Sequence, residues 1–381
     1  MNDLERELIS MLDEDAKKAP LVTKTPSDVT ALVRRRQLGT VLVAALAAIG
    51  LAVASFAGVR ALNRASPPAN PPPPTGVPAT HNGEIVVITA GGFTAIDPDT
   101  GDQKDLVACP SSCTSIRHPV WSPDGTKLAY AIPQTRGGIA SQFGVWILDP
   151  ATGTTLQVTR FPTDCPVPSV PSSSHSGDVS WSRDGSMIAF GQCGGVYIMH
   201  PDGSAETRVT DFGSEPTLSP DGARMAFVAS AHRRYGNTLY VVDTDGSNLM
   251  RLTSVGAHIA DPAWSPDGSK IAYDLWLNTP QAEAMGHGVA HGRLDFFEPF
   301  QIWVIGAEGS HPTKIFDRQA CCVSLGWGGP AWSPDGSKLA SVLPGADGYS
   351  LFLMNPDGSR LRKVPGGLGV WFDGLAWRPV P

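Results

Sequence analysis

Ten nearly identical residues recur five times in this chain. They read "WSPDGTKLAY" from Trp121, "WSRDGSMIAF" from Trp181, "LSPDGARMAF" from Leu218, "WSPDGSKIAY" from Trp264 and "WSPDGSKLAS" from Trp332. A unit that returns along a chain is one that buries its apolar face only by stacking on copies of itself. Each copy is preceded by a short apolar run: "HPVW", "DVSW", "EPTL", "DPAW" and "GPAW", with a sixth, "GLAW", closing on Trp377. The Ser-Pro-Asp-Gly core is turn chemistry: proline pre-sets φ, aspartate hydrogen-bonds the turn backbone and glycine accepts positive φ. An apolar strand follows, then a second strand such as "VWILD" or "LYVVD", an Asp-Gly turn, and a last strand such as "TLQVTR". Runs of four to six residues rich in Val, Ile, Tyr and Trp between such turns are strands.

Four strands per unit, with strand-one residues spaced by 60, 37, 46, 68 and 45, predict an all-β, six-bladed β-propeller with four-stranded blades over residues 82–381. The first unit, Glu84 to Val107, supplies three strands, and "GLAW" near the other end of the sequence fills the vacancy. Joining both chain ends in one blade removes exposed sheet edges. The motif "WSPDGxxIAY" followed by "LYVVDTDGSN" and "RLT" resembles the TolB-type (WD40-like) propeller repeat, which is also found in the propellers of prolyl-oligopeptidase-type enzymes. That resemblance implies a fold; a propeller hosts many functions. TolB-type proteins carry a separate N-terminal α/β domain and dock a lipoprotein partner, whereas a different N-terminal layout stands in that place here.

That layout divides residues 1–81 in three. Residues 38–59, Leu38 to Val59, hold no charge over 22 residues, enough to cross a bilayer of about 30 Å as a single transmembrane helix. Arg34, Arg35 and Arg36 precede it, which sets residues 1–37 in the cytoplasm and the propeller outside. A cleaved signal peptide is the competing reading, although its apolar core is normally shorter and nearer the start. Residues 60–81 contain "SPPANPPPPTGVP", a semi-rigid Pro-rich linker. Asn2 to Ala16 reads as a short amphipathic helix that could contact a cytoplasmic partner, or as a solvated tail. Helix, Arg run and single span together also resemble the head of bacterial membrane-bound regulators of sigma factors.

Strand order places the Ser-Pro-Asp-Gly and Asp-Gly turns on one face and the irregular loops on the other, where binding usually resides. Three residues before the strand-one Trp or Leu stand His118, Asp178, Glu215 and Asp261, with Asp373 one place further out. These ring the expected channel mouth. Four carboxylates and an imidazole could hold a hard cation or a ligand amine; the simpler reading is that acids before proline cap turns and face a water-filled channel. Asp178, Glu215 and Asp261 are the metal candidates, joined by His287 and His291, whose "GHGVAHG" context suits solvated loop histidines better. Arg233, Arg234, Tyr235, Trp327, Trp371 and Phe372 are the side chains best suited to anchoring a protein or peptide. All six cysteines fall on the loop face. In an oxidising compartment Cys109 with Cys113, Cys165 with Cys193, and Cys321 with Cys322 are the preferred disulfides among 15 pairings.

Residues 1–64 carry nine Lys/Arg against seven Asp/Glu, and the remainder 20 against 29. So acidic a domain excludes nucleic acid as a partner. No Gly-x-Ser-x-Gly elbow and no phosphate-binding loop occurs. "DPDTGD" at Asp97 lacks the twelfth-position Glu of a calcium loop. The sequence therefore points first to a membrane-tethered, extracytoplasmic propeller, in periplasm or at the cell surface, that binds a protein, peptide or cell-envelope ligand and needs no cofactor. A metal-dependent lyase or hydrolase with a divalent cation at the channel mouth is the second reading. A transmembrane signalling protein that uses residues 1–36 inside the cell is the third.

Overall fold

In the computed structural model the described residues are 81–380, apart from 90–91, 109–115, 137–138, 160–177, 231–236, 255–256, 278–299, 319–328, 346–347 and 367–373. Among them, twenty-four strands form six four-stranded antiparallel sheets, and none is a helix long and apolar enough to cross a membrane. The proposed anchor, linker and N-terminal segment lie outside the described residues. Each sheet is a blade. Blade 1 is built from His81–Thr89, Gly92–Ile96 and Gln103–Ala108 plus Leu375–Val380 from the far end of the sequence. Ile85 pairs with Trp377, Val86 with Ala376 and Val87 with Leu375. The vacancy in the first unit is filled as its missing strand requires.

The other five blades are consecutive in sequence. Their inner strands are Arg117–Trp121 in blade 2, Val179–Trp181 in blade 3, Ser214–Leu218 in blade 4, Ala257–Trp264 in blade 5 and Ala331–Trp332 in blade 6. Each inner strand touches the inner strands of both neighbours, so the six form a closed ring around the axis.

Both faces of every blade are covered. The core accordingly divides into six apolar clusters, one at each blade-to-blade interface. Strand periodicity decides which cluster a residue joins. Ile85 and Val87 pack toward blade 6, while Val86 and Ile88 pack toward blade 2. A strand buried on both sides reads as a continuous apolar run, which is why "EIVVIT" shows no alternation.

The decapeptide builds one hairpin repeatedly. In blade 5, Ser265 Oγ donates to Asp267 Oδ1 at 2.6 Å and accepts the Lys270 amide at 2.9 Å, and Asp267 accepts the Ser269 amide at 3.0 Å. The same contacts recur at Ser122, Ser182, Ser219 and Ser333. The Ser182 hydroxyl and the Ser186 amide hold the Asp184 carboxyl below its ordinary range. Tryptophan ties blades together: Trp264 Nε1 donates to Thr217 O, Trp332 to Ala263 O and Trp377 to Ala331 O, at 3.1, 3.1 and 3.2 Å. The repeat is scaffold.

Candidate functional site

The inner strands deviate from regular pairing at one place. Pairing with the second strand skips from Arg117 to Val120 in blade 2, from Ser214 to Thr217 in blade 4 and from Ala260 to Ala263 in blade 5. Inside these bulges sit His118, Glu215 and Asp261, with φ of 44°, 56° and 52°. Each precedes a proline (Pro119, Pro216, Pro262), a context that normally drives the backbone to extended values. Left-handed backbone at a residue bearing Cβ costs on the order of 1–3 kcal/mol. A bulge re-aims a side chain, and here three blades accept strain to do so at equivalent positions. Asp178 holds that position in blade 3.

The re-aimed side chains meet. His118 Nδ1 lies 2.7 Å from Asp178 Oδ1 and 3.9 Å from Asp261 Oδ1. Glu215 Oε2 accepts the Asp261 backbone N–H at 2.7 Å, a bond that joins the inner strands of blades 4 and 5. One ligand atom each from His118, Asp178 and Asp261 lie within 4.8 Å of one another, and these three could hold a metal ion. Asp178 and Glu215 are 7% and 2% exposed, so water screens their charges little.

Blades 6 and 1 put glycine at the equivalent position, and the contacts explain why. A Cβ on Gly329 would overlap the Asp261 side chain, lying 2.7 Å from its Cγ. One on Gly374 would lie 2.9 Å from His118 Cα. The ring of six positions thus carries four polar side chains and two gaps that seat them.

One participant escapes the strand-one pattern. Asp274 lies on the second strand of blade 5, Lys270–Leu277, and is 2% exposed. The other decapeptide copies place Ala131, Gly191, Val228 and Val342 at that offset. A lone carboxylate in an otherwise apolar strand was the signal that could have found it. Burial, then the charge on Asp261, pushes Asp274 well above the ordinary carboxylate range. Burial and the charges of Asp178 and Asp261 do the same to Glu215. Asp261 is pushed up to about 6 by burial, against the lowering pull of His118 and with a further rise from Asp178.

The other sequence candidates, Asp373, Arg233, Arg234, Tyr235, Trp327, Trp371, Phe372, His287 and His291, lie outside the described residues. So do Cys109, Cys113, Cys165, Cys321 and Cys322; Cys193 closes the hairpin between the second and third strands of blade 3, at φ 53°. Asp97 is a turn residue that accepts the amides of Asp99 and Thr100, at 2.8 and 2.9 Å.

Residues 95–282 match the family model of the TolB beta propeller domain, PD40. Over those residues the propeller is TolB-like. The TolB structure from Acinetobacter baumannii superposes with a TM-score of 0.54 at 22% identity, covering 78% of this chain and 66% of that one. The Tol-Pal system protein TolB of Albidiferax ferrireducens is 34% identical over 97 residues, which is 25% of this chain and 22% of that protein. The uncharacterized peptidase YuxL of Bacillus subtilis is 24% identical over 249 residues, 60% of this chain and 29% of that protein. The chain therefore spans less than a third of the length of these two relatives. A TolB-type propeller with a polar cluster gathered from four inner strands is consistent with a ligand-binding or protein-interaction module.

Proposed function

We propose that this protein is a membrane-tethered binding module. In this reading residues 1–37 lie in the cytoplasm, Leu38–Val59 cross the bilayer, and residues 60–81 hold the TolB-type propeller outside, in the periplasm or at the cell surface. The propeller grips a protein, peptide or cell-envelope ligand through its loop face. The supporting observation is the gathering of His118, Asp178, Glu215 and Asp261, each from a different blade, at equivalent inner-strand positions, with His118, Glu215 and Asp261 on strained backbone. Strain repeated at one site and offset elsewhere is a mark of function.

Two measurements test it. The chain should stay in the membrane pellet after an alkaline wash, with the propeller cleaved by protease added outside intact cells; recovery in the soluble fraction overturns the tether. Full-length chain used as bait should capture an envelope component, and Asp178→Asn with Asp261→Asn should abolish that capture. If capture instead depends on residues 2–36 alone, the signalling reading replaces this one. In the same compartment Cys109–Cys113, Cys165–Cys193 and Cys321–Cys322 are the proposed disulfides, checked by counting free thiols before and after reduction.

The grouping of His118, Asp178 and Asp261 favours one second reading, a metal-dependent hydrolase or lyase. It requires stoichiometric metal in purified protein, lost when Asp178, Glu215 and Asp261 become alanine. A metal-free preparation with full capture activity removes it.

A further inference from the structure

The hydrogen-bond state of each carboxylate at the channel mouth narrows what fits there. Asp178 Oδ1 is committed to His118 Nδ1, and Glu215 Oε2 to the Asp261 amide, both at 2.7 Å. Three buried carboxylate oxygens have no hydrogen-bond partner among the described residues: Asp178 Oδ2, Asp261 Oδ2 and Asp274 Oδ1. A buried acceptor left without a donor costs about 1–3 kcal/mol, and more when charged. Asp274 is an independent sign of a ligand. It belongs to no bulge and caps no turn, yet it is 2% exposed and pairs with Ala260, the neighbour of Asp261, whose charge acts on it while its own acts on Glu215.

Among the described residues, the cluster offers carboxylate acceptors in excess, with the His118 imidazole beside them. Calcium takes about 6–8 oxygen ligands and magnesium about six in near-ideal octahedral geometry, more than these three oxygens supply. A primary ammonium brings three N–H donors and no acceptor, which matches the three oxygens in number and in charge.

We propose that the channel mouth is a primary-ammonium site, in which Asp178, Asp261 and Asp274 each accept one N–H from an –NH3+ group of the ligand. This rests on the binding-module reading and names the chemistry its ligand presents. The group is either the free amino terminus of a polypeptide or a lysine side chain. Gly329 and Gly374 act as positioning residues, because their missing side chains leave the room that Asp261 and His118 occupy.

The test is titration calorimetry on the full-length chain in detergent, with four probes at constant ionic strength: triglycine amide, N-acetyl-triglycine amide, Nα-acetyl-lysine amide and tetramethylammonium. Triglycine amide, acetyl-lysine amide or both should bind, while the acetylated tripeptide and tetramethylammonium, which lack the –NH3+ group, should not. Binding of triglycine amide alone assigns an amino terminus, and of acetyl-lysine amide alone a lysine. Asp274→Asn and Asp178→Asn should each weaken binding by about tenfold or more, with unchanged circular dichroism. Asp221→Asn in a Ser-Pro-Asp-Gly turn should not. Amine binding no stronger than tetramethylammonium overturns the proposal, as does unaltered binding in both variants. So does an exothermic, stoichiometric response to calcium or manganese with none to the amines. If full-length bait captures its partner equally well after that partner's amines are acetylated, the ammonium assignment fails while the binding-module reading stands. Failure to capture anything overturns that reading.

Discussion

Asp261 carries three burdens at once: left-handed backbone before a proline, near-complete burial, and a neighbouring carboxylate in Asp178. Its folded pKa of about 6 lies above the ordinary 3.8, so across that interval the folded chain binds more protons than the unfolded one. Stability must therefore fall as pH rises from about 4 to about 6, by on the order of 2–3 kcal/mol from this group. Glu215 and Asp274, also raised, add with the same sign. Denaturant unfolding of Asp261→Asn across this range should show the decline reduced relative to wild type; identical profiles would refute the assignment. Gly329→Ala tests the packing beneath that carboxylate. The added methyl overlaps Asp261, and a loss of about 1–3 kcal/mol is expected; a neutral result would mean that the glycine seats nothing.

At the scale of the element, the recurring hairpin is held by a serine rather than by its proline. Ser265 Oγ donates to Asp267 and accepts from the Lys270 amide, and replacing it with alanine leaves that buried corner short of both contacts. Ser265→Ala should cost about 1–2 kcal/mol in chemical denaturation, whereas Pro266→Ala should cost less, because it changes mainly the entropy of the unfolded chain. Reversal of that order would show that the turn rests on backbone stiffness. This element was fully legible in sequence, since every contact within it spans five residues or fewer. The bulges one strand earlier were not. Nothing in "HPVW" or "EPTL" announces positive φ before proline, because the cost is borne by inter-blade packing that no local window contains.

For the whole molecule, closure is the property that six separate hairpins cannot supply. Deleting residues 375–381 removes the inner strand of blade 1, strips Leu375, Ala376 and Trp377 from two of the six inter-blade clusters, and opens the ring. The truncated chain should lose a single cooperative unfolding transition and expose strand edges, read as a broadened melt with aggregation in light scattering. A sharp transition of unchanged midpoint would mean that the ring does not depend on its seam. Strand count, blade number and seam were all readable, because periodicity and motif spacing report directly on how many copies must stack.

The sequence by itself determined the architecture: turn chemistry, strand period and a six-fold count leave one way to bury the apolar faces of these blades. It also marked His118, Asp178, Glu215 and Asp261, through their common offset from the strand-one Trp or Leu. Only the tertiary structure decided that these four meet with Asp274 in one buried cluster, and that Gly329 and Gly374 stand aside for two of them. The reason is physical. Offsets along a chain give the height of a residue on its blade, but whether side chains from different blades touch depends on ring closure and on the backbone strain that turns them toward one another.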